Sequence, residues 1–306
     1  MIRRLLFCSI LAMVVIPTHI FAEDENTYSM SPEVVQGKAE SQETIGPYGQ
    51  PRWSARGRFS SDTDVYVIPP GLFFVDIDYE GFFPRHGDAV HTFTQEFEVG
   101  LPHRFQLAYE NNFEVRGPHT QETVQTIEAR YALADWGKIP LNPTLFAEWH
   151  FGVGKDYEHE GDPGGKTPDI PDAFEVRLLL GQQFGRNLQW AVNLFHEQEV
   201  GGEREWETGF SQAFSYAIFD EYLKVGVEME FIRRTEAETR PSPQYEFDIG
   251  PNFTWKPTRR TRLDFAPLFG TTGDSPIVNV FAVFSFFFGS GEEEMEGPQP
   301  VSTEHR

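Results

Sequence analysis

The sequence predicts an all-β protein, an antiparallel up-and-down transmembrane β-barrel of about twelve strands. Three observations lead there. From residue 72 to residue 288, segments of about ten residues alternate apolar and polar side chains, the period of a strand whose two faces differ. Tight turns alternate with longer, more polar links between those segments, as expected where strands run up and down across a bilayer. Aromatic residues gather near both ends of the segments, Trp136, Trp190 and Trp255 toward one and Phe82, Trp206 and Tyr245 toward the other, which fits two interfacial girdles.

The first strand, Leu72 to Phe82, follows Pro69-Pro70-Gly71 and sets Phe73, Val75, Ile77 and Tyr79 against Asp76, Asp78 and Glu80. The second, His91 to Gly100, sets Phe93, Phe97 and Val99 against Thr94, Glu96 and Glu98. After the turn Leu101-Pro102-His103, the third, Arg104 to Arg116, sets Phe105, Leu107, Tyr109, Phe113 and Val115 against Gln106, Glu110, Glu114 and Arg116. The pattern continues through Gln125 to Leu133 (Glu128 and Arg130 on the polar face), Leu145 to Val153 (Glu148, His150) and Phe174 to Gln183 (Glu175, Arg177). It runs on through Leu188 to Glu197, Trp206 to Tyr216 (Glu207), Leu223 to Phe231 (Lys224, Glu228, Glu230) and Tyr245 to Trp255 (Glu246, Asp248). A shorter segment, Leu263 to Phe269, carries Asp264 and Pro267, and Val278 to Phe288 closes the series. Twelve segments, an even number, bring both ends of the barrel to the short-turn side, the periplasm. The tight turns after the second, sixth, eighth and tenth segments lie on that side, and the long links 154–172, 199–205 and 233–244 lie on the other.

The N-terminus reads as an export signal, residues 1–22. Arg3 and Arg4 precede an apolar run from Leu5 to Ile16, Pro17 breaks it, and Ala22 precedes Glu23-Asp24. The run is too short to span a bilayer. The one cysteine, Cys8, lies inside it, so the exported chain forms no disulfide. Losing Arg3 and Arg4 takes the formal net charge from −22 to −24, which disfavours nucleic acid and anionic headgroups as partners. No later stretch has the length and apolarity of a membrane helix. Residues 23–64 are polar and are expected to be poorly ordered or extended. They end in a basic, aromatic stretch, Pro51 to Phe59, that either plugs an acidic lumen or packs under the rim. Packing under the rim is the favoured reading, because a single charge cluster is weak grounds for a plug. Residues 65–289 form the barrel, and 290–306 an acidic tail.

The polar face carries what chemistry there is. The residues expected to line the lumen are Asp76, Asp78, Glu80, Glu96, Glu98, Glu110, Glu128, Arg130, Glu148, His150, Glu175, Arg177, Glu228, Glu230, Glu246 and Asp248. Crowded carboxylates in a dry interior cost several kcal/mol, so the lumen is expected to hold water. Glu148 and His150 point the same way and offer two metal ligands, short of a site. The acidic link 156–172 lacks the ordered spacing of a calcium loop. No nucleophile elbow, phosphate loop or dinucleotide fingerprint occurs. His91, His119 and His196 fall near the outer rim with no hydrolase motif around them. No motif asks for a cofactor.

Tyr66-Val67-Ile68-Pro69-Pro70-Gly71-Leu72, followed by Glu98-Val99-Gly100-Leu101-Pro102-His103-Arg104, resembles a family of bacterial outer-membrane barrels named for the MetA pathway of phenol degradation. The resemblance spans about residues 65 to 289. It implies a barrel that passes small, often aromatic, molecules, and it carries no catalytic motif. Asn279, Phe284 and Phe286 are similar to the signal read by the barrel-assembly machinery. Phe281 stands where that signal has glycine, and residues 289–306 follow it.

The leading functional reading is an outer-membrane channel or transporter passing small cationic or neutral solutes, aromatic ones included, through an acidic lumen. A non-conducting structural or interaction barrel with a closed lumen stands beside it, and a barrel hydrolase ranks third. The expected partners are outer-membrane lipid, the barrel-assembly machinery and a small-molecule solute. The sequence leaves the oligomeric state open.

Overall fold

The structure, a computed structural model, describes residues 44–51, 59–61, 63–157, 167–185, 187–219, 222–258 and 260–289. The export signal, residues 52–58 of the basic stretch, the centre of the acidic link and the C-terminal tail lie outside them.

Two short strands, β1 (Thr44–Ile45) and β2 (Gln50–Pro51), pair as a hairpin. Twelve long strands follow: β3 (Leu72–Phe83), β4 (Val90–Leu101), β5 (Phe105–Arg116), β6 (His119–Ala132), β7 (Thr144–Gly152), β8 (Ala173–Phe184), β9 (Leu188–Glu199), β10 (Trp206–Phe219), β11 (Leu223–Thr235), β12 (Gln244–Trp255), β13 (Thr261–Gly270) and β14 (Val278–Gly289). Each pairs antiparallel with its neighbours in sequence, and β14 pairs with β3 from Val278↔Phe83 to Gly289↔Leu72. The sheet is therefore a closed barrel, the architecture the sequence predicts. Closure leaves no unpaired strand edge, the condition for a sheet to sit in hydrocarbon.

The alternation orients every strand. On the outside, Phe73, Ile77, Phe93, Phe97, Ile127 and Leu145 are among many large apolar side chains left exposed. The intervening residues turn inward and are buried or half-buried. Among the described residues no helix is long and apolar enough to cross a membrane, and the strands supply the apolar band instead.

The short connections at one end of the barrel include 102–104 and 185–187, and we call this the turn side. The other end carries 153–172, 200–205 and 236–243, and we call it the loop side. One loop-side link departs from the sequence expectation. Residues 117–124 look like a loop because His119 to Thr123 is polar on both faces. The structure turns at Gly117-Pro118 and starts β6 at His119. Gly117 takes φ +55°, a conformation glycine adopts without strain. A register shift follows at Asn112/Phe113. A strand that rises above the apolar band faces water on both sides, so it shows no alternation to read.

The interior of the turn-side half is filled by the chain leading into β3. Val65, Tyr66, Val67 and Ile68 have no solvent exposure, and Tyr48 and Phe59 are buried with them. The wall makes room with small residues directly opposite one another, Gly181 on β8, Ala191 on β9 and Ala213 on β10. A Cβ on Gly181 would come within 2.9 Å of the Val65 side chain. Gly181→Leu is expected to overpack this contact at a cost of about 1–3 kcal/mol. Protease should then cut near Val65 in a variant that keeps the heat-dependent gel shift of a folded barrel.

Candidate functional site

The candidate site is the lumen. Its wall carries an unbroken row of glutamates. Register sets Glu128 opposite Glu148, Glu148 opposite Glu175, Glu175 opposite Glu197 and Glu197 opposite Glu207, on five consecutive strands. Glu128 lies four residues from the turn-side end of β6, and Glu207 lies one residue inside the loop-side end of β10. The row thus climbs from the turn-side half of the barrel to the loop-side rim. A second row sets Asp76 opposite Glu96 and Glu96 opposite Glu110. Like charges directly opposite one another are destabilising, so each row needs compensation.

Two arginines supply it for the first row. Arg130 lies along β6 from Glu128, forms an ion pair with it through Nε at 2.5 Å and donates to it through Nη2 at 2.7 Å. Arg177 lies along β8 from Glu175 and bonds it through Nε and, at 2.8 Å, through Nη2. Phe146 sits directly between the two arginines in register, and both guanidinium carbons lie over its ring, at 5.0 and 4.8 Å. This cation–π arrangement holds two cations side by side. Asp64, from the inner segment, completes the group. Its carboxylate meets Arg130 Nη1 at 2.8 Å and Arg177 Nη1 at 3.6 Å. With its amide oriented to satisfy both partners, Asn193 donates to the Asp64 carbonyl at 2.9 Å and accepts from its N–H at 2.6 Å.

Other bonds tie the same segment across the lumen. Ser60 and Ser61 donate their N–H groups to Glu228 at 2.9 and 2.8 Å, and the Ser61 hydroxyl donates to it as well. Gln106 accepts from the Ile68 N–H at 2.9 Å and donates to Glu98 at 2.8 Å. Tyr48 donates to the Leu101 carbonyl at 2.9 Å, and Tyr66 to that of Ala134 at 2.6 Å. Tyr66 also meets Trp136 edge to face at 5.2 Å.

The residues expected on the inner face fall as follows. Asp76, Glu96, Glu98, Glu128, Arg130, Glu175, Glu228, Glu246 and Asp248 are buried, and Asp78, Glu80, Glu110, Glu148, His150, Arg177 and Glu230 are half-buried. Glu148 and His150 approach at 3.3 Å, and Glu175 joins them to make three ligand groups within 4.8 Å. Asp76, Glu96 and Glu98 form a second such set, and Glu96, Glu110 and Glu128 a third. The rim histidines are spread apart in pairing: His91 bonds Tyr79 at 2.9 Å, His119 stacks on Tyr157, and His196 bonds Thr208 at 2.8 Å. Sequence reasoning missed Asp64, Ser60, Ser61 and Phe146. The acidity of the lumen, which calls for inward-pointing donors, hinted at groups like Ser60 and Ser61, and nothing hinted at Asp64 or Phe146.

On the loop side, Arg234 serves three carboxylates: Glu207 at 2.6 Å, Glu246 at 3.0 Å and Glu205 at 3.4 Å. Glu205 belongs to the link between β9 and β10. Burial pushes its carboxyl up to about 8 from an ordinary 4.5, Glu207 and Glu199 add to the shift, and Arg234 opposes it.

No family model matches the chain, and no curated protein matches it. Among solved structures it is similar to an outer-membrane channel of Pseudomonas putida F1, at TM-score 0.51 and 10% identity over 74% of this chain and 98% of that one. The fold is that of an outer-membrane β-barrel. The NanC porin (TM-score 0.48, 9% identity, 71% of this chain and 99% of that) and the KdgM porin solved with disordered oligogalacturonate (0.46, 10%, 70% and 99%) match more loosely.

Two outcomes are expected. Arg130→Ala leaves Asp64 and Glu128 buried without their shared cation and should cost about 3–5 kcal/mol in urea unfolding from detergent. A double-mutant cycle with Asp64→Ala should return a coupling of about 1–3 kcal/mol. The second outcome concerns pH. Glu205 binds its proton more tightly in the folded chain, so its contribution to stability is complete below about pH 4.5 and is lost as pH rises through about 8. The melting midpoint should fall between pH 5 and pH 9, and less steeply in Glu205→Gln.

Proposed function

We propose that the protein is an outer-membrane channel for small solutes that favours cationic and neutral species over anions. The observation that carries this reading is the glutamate row from Glu128 to Glu207, which lays negative charge along the lumen from one half to the rim. Such a wall concentrates cations and repels anions. Export through residues 1–22 and insertion by the barrel-assembly machinery belong to the same reading. So does a role in transport rather than catalysis.

A second reading, a closed structural barrel, is favoured by the inner segment. Val65 to Ile68 are fully buried, and Asp64 is held by two arginines. The two readings meet if the segment moves when solute passes. Single-channel conductance of the folded protein in planar bilayers separates them. The channel reading expects rare, cation-preferring openings, and a several-fold higher open probability in the triple variant Ser60→Ala, Ser61→Ala, Asp64→Ala. Glu148→Gln should shift the reversal potential across a salt gradient toward zero. Silence in both the wild type and the triple variant, with heat-modifiable folding intact, would establish the closed barrel.

A further inference from the structure

The outer, lipid-facing surface of the barrel carries a row of amides. Register sets Gln95 on β4 opposite Asn111 on β5, and Asn111 opposite Gln125 on β6. Ile77 on β3 and Phe151 on β7 flank the row in register, and both are exposed on the outer surface. Directly opposed strand residues share a face, so the three amides point outward too. Each lies six or seven residues from the turn-side end of its strand. At about 3.3 Å per residue and a tilt of about 40° that is about 15–18 Å up the wall, inside an apolar band about 25 Å tall. Among the described residues the middle of the outer face is otherwise apolar but for a lone amide, Gln212 on β10, set between Val192 and Met229.

Hydrocarbon offers an amide nothing to bond, and an amide left there unbonded is costly. The wall serves this row only in part. The Tyr109 hydroxyl donates to the Asn111 side-chain oxygen at 2.8 Å, and the Gln125 amide donates to Glu122 at 2.7 Å. Among the described residues, the Asn111 side-chain nitrogen, the Gln125 side-chain oxygen and the whole Gln95 amide have no partner. Donors and acceptors are thus left in one line facing lipid, and whatever satisfies them comes from outside the barrel. A second copy of the chain has the matching pattern. Each amide both donates and accepts, so the row is complementary to itself. A two-fold axis along the membrane normal keeps both barrels the same way up and reverses the row. Asn111 then meets its own copy near the axis, and Gln95 on each protomer lies toward Gln125 of the partner subunit. Ala129 and Ala147, opposed lower on β6 and β7, let the two walls come close.

We propose that the outer face of β4, β5 and β6 is the interface of a homodimer in the membrane, with Gln95, Asn111 and Gln125 hydrogen-bonded to a second copy across a two-fold axis. The contact lies on the outside of the wall, so it holds whether or not the lumen conducts.

Sedimentation equilibrium of the folded protein in density-matched detergent tests this, and the expected result is a reversible dimer. The triple variant Gln95→Leu, Asn111→Leu, Gln125→Leu should raise the dissociation constant by about tenfold or more. Gln212→Leu, which removes the lone amide on β10, should leave it unchanged. Cross-linking in phosphatidylcholine vesicles with a short bismaleimide locates the contact. Phe113→Cys, the next outward position along β5 from Asn111, should link to its own copy. Val227→Cys, outward on β11 across the ring, should not. A heat-dependent gel shift certifies that each variant is folded. A wild type that sediments as a monomer at every concentration overturns the proposal. So does a dimer that the triple variant leaves as tight as before, or a cross-link through Val227→Cys in place of Phe113→Cys.

Discussion

A sheet in hydrocarbon has no water to satisfy its edges, so the last strand must pair with the first. Here β14 meets β3 along twelve residue pairs, and most other features follow from that ring. Once the sheet is closed, each strand residue faces either lipid or lumen, and the alternation of the sequence becomes a division of chemistry. The apolar half is spent on the bilayer. What remains for the interior is the other half, and in this chain its charged groups are mostly acidic.

Period and register then decide where the acid goes. Residues two apart share a face, and directly opposed residues share a level of the ladder, so glutamates placed at matching steps of β6 to β10 merge into one row. The wall answers with guanidinium groups placed two residues along the same strands, which is why Arg130 and Arg177 reach Glu128 and Glu175 from their own backbones. Phe146 keeps the two cations over one ring. The pair then accepts one more carboxylate, and the chain's own Asp64 provides it. Hydrophobic packing of Val65 to Ile68 against small wall residues and this ionic contact act at the same level of the barrel.

The barrel was legible because alternation is a local signal repeated twelve times. Its weakest point was the start of β6, where the polar run from His119 to Thr123 shows no contrast between faces. The inner segment was not legible. Asp64 meets an arginine 66 positions away, and Ser61 meets Glu228 at a separation of 167 residues. Nothing in the neighbouring sequence marks a serine or an aspartate for such contacts. The inward residues could be named one by one from the alternation, but their joining into a row required the register.

One small apolar cluster ties these elements together. Ile68 of the inner segment is buried with Leu72 and Phe74 of β3 and with Phe287 of β14, and Phe74 and Phe287 face each other across the seam at 5.4 Å. The last pairing that closes the ring and the seating of the segment share the same side chains. A ring that closed first would have to admit a bulky, tethered stretch into a finished cylinder. The shared cluster makes the two interdependent: loosening the segment at Ile68 loosens the seam at Phe287, and opening the seam exposes Ile68.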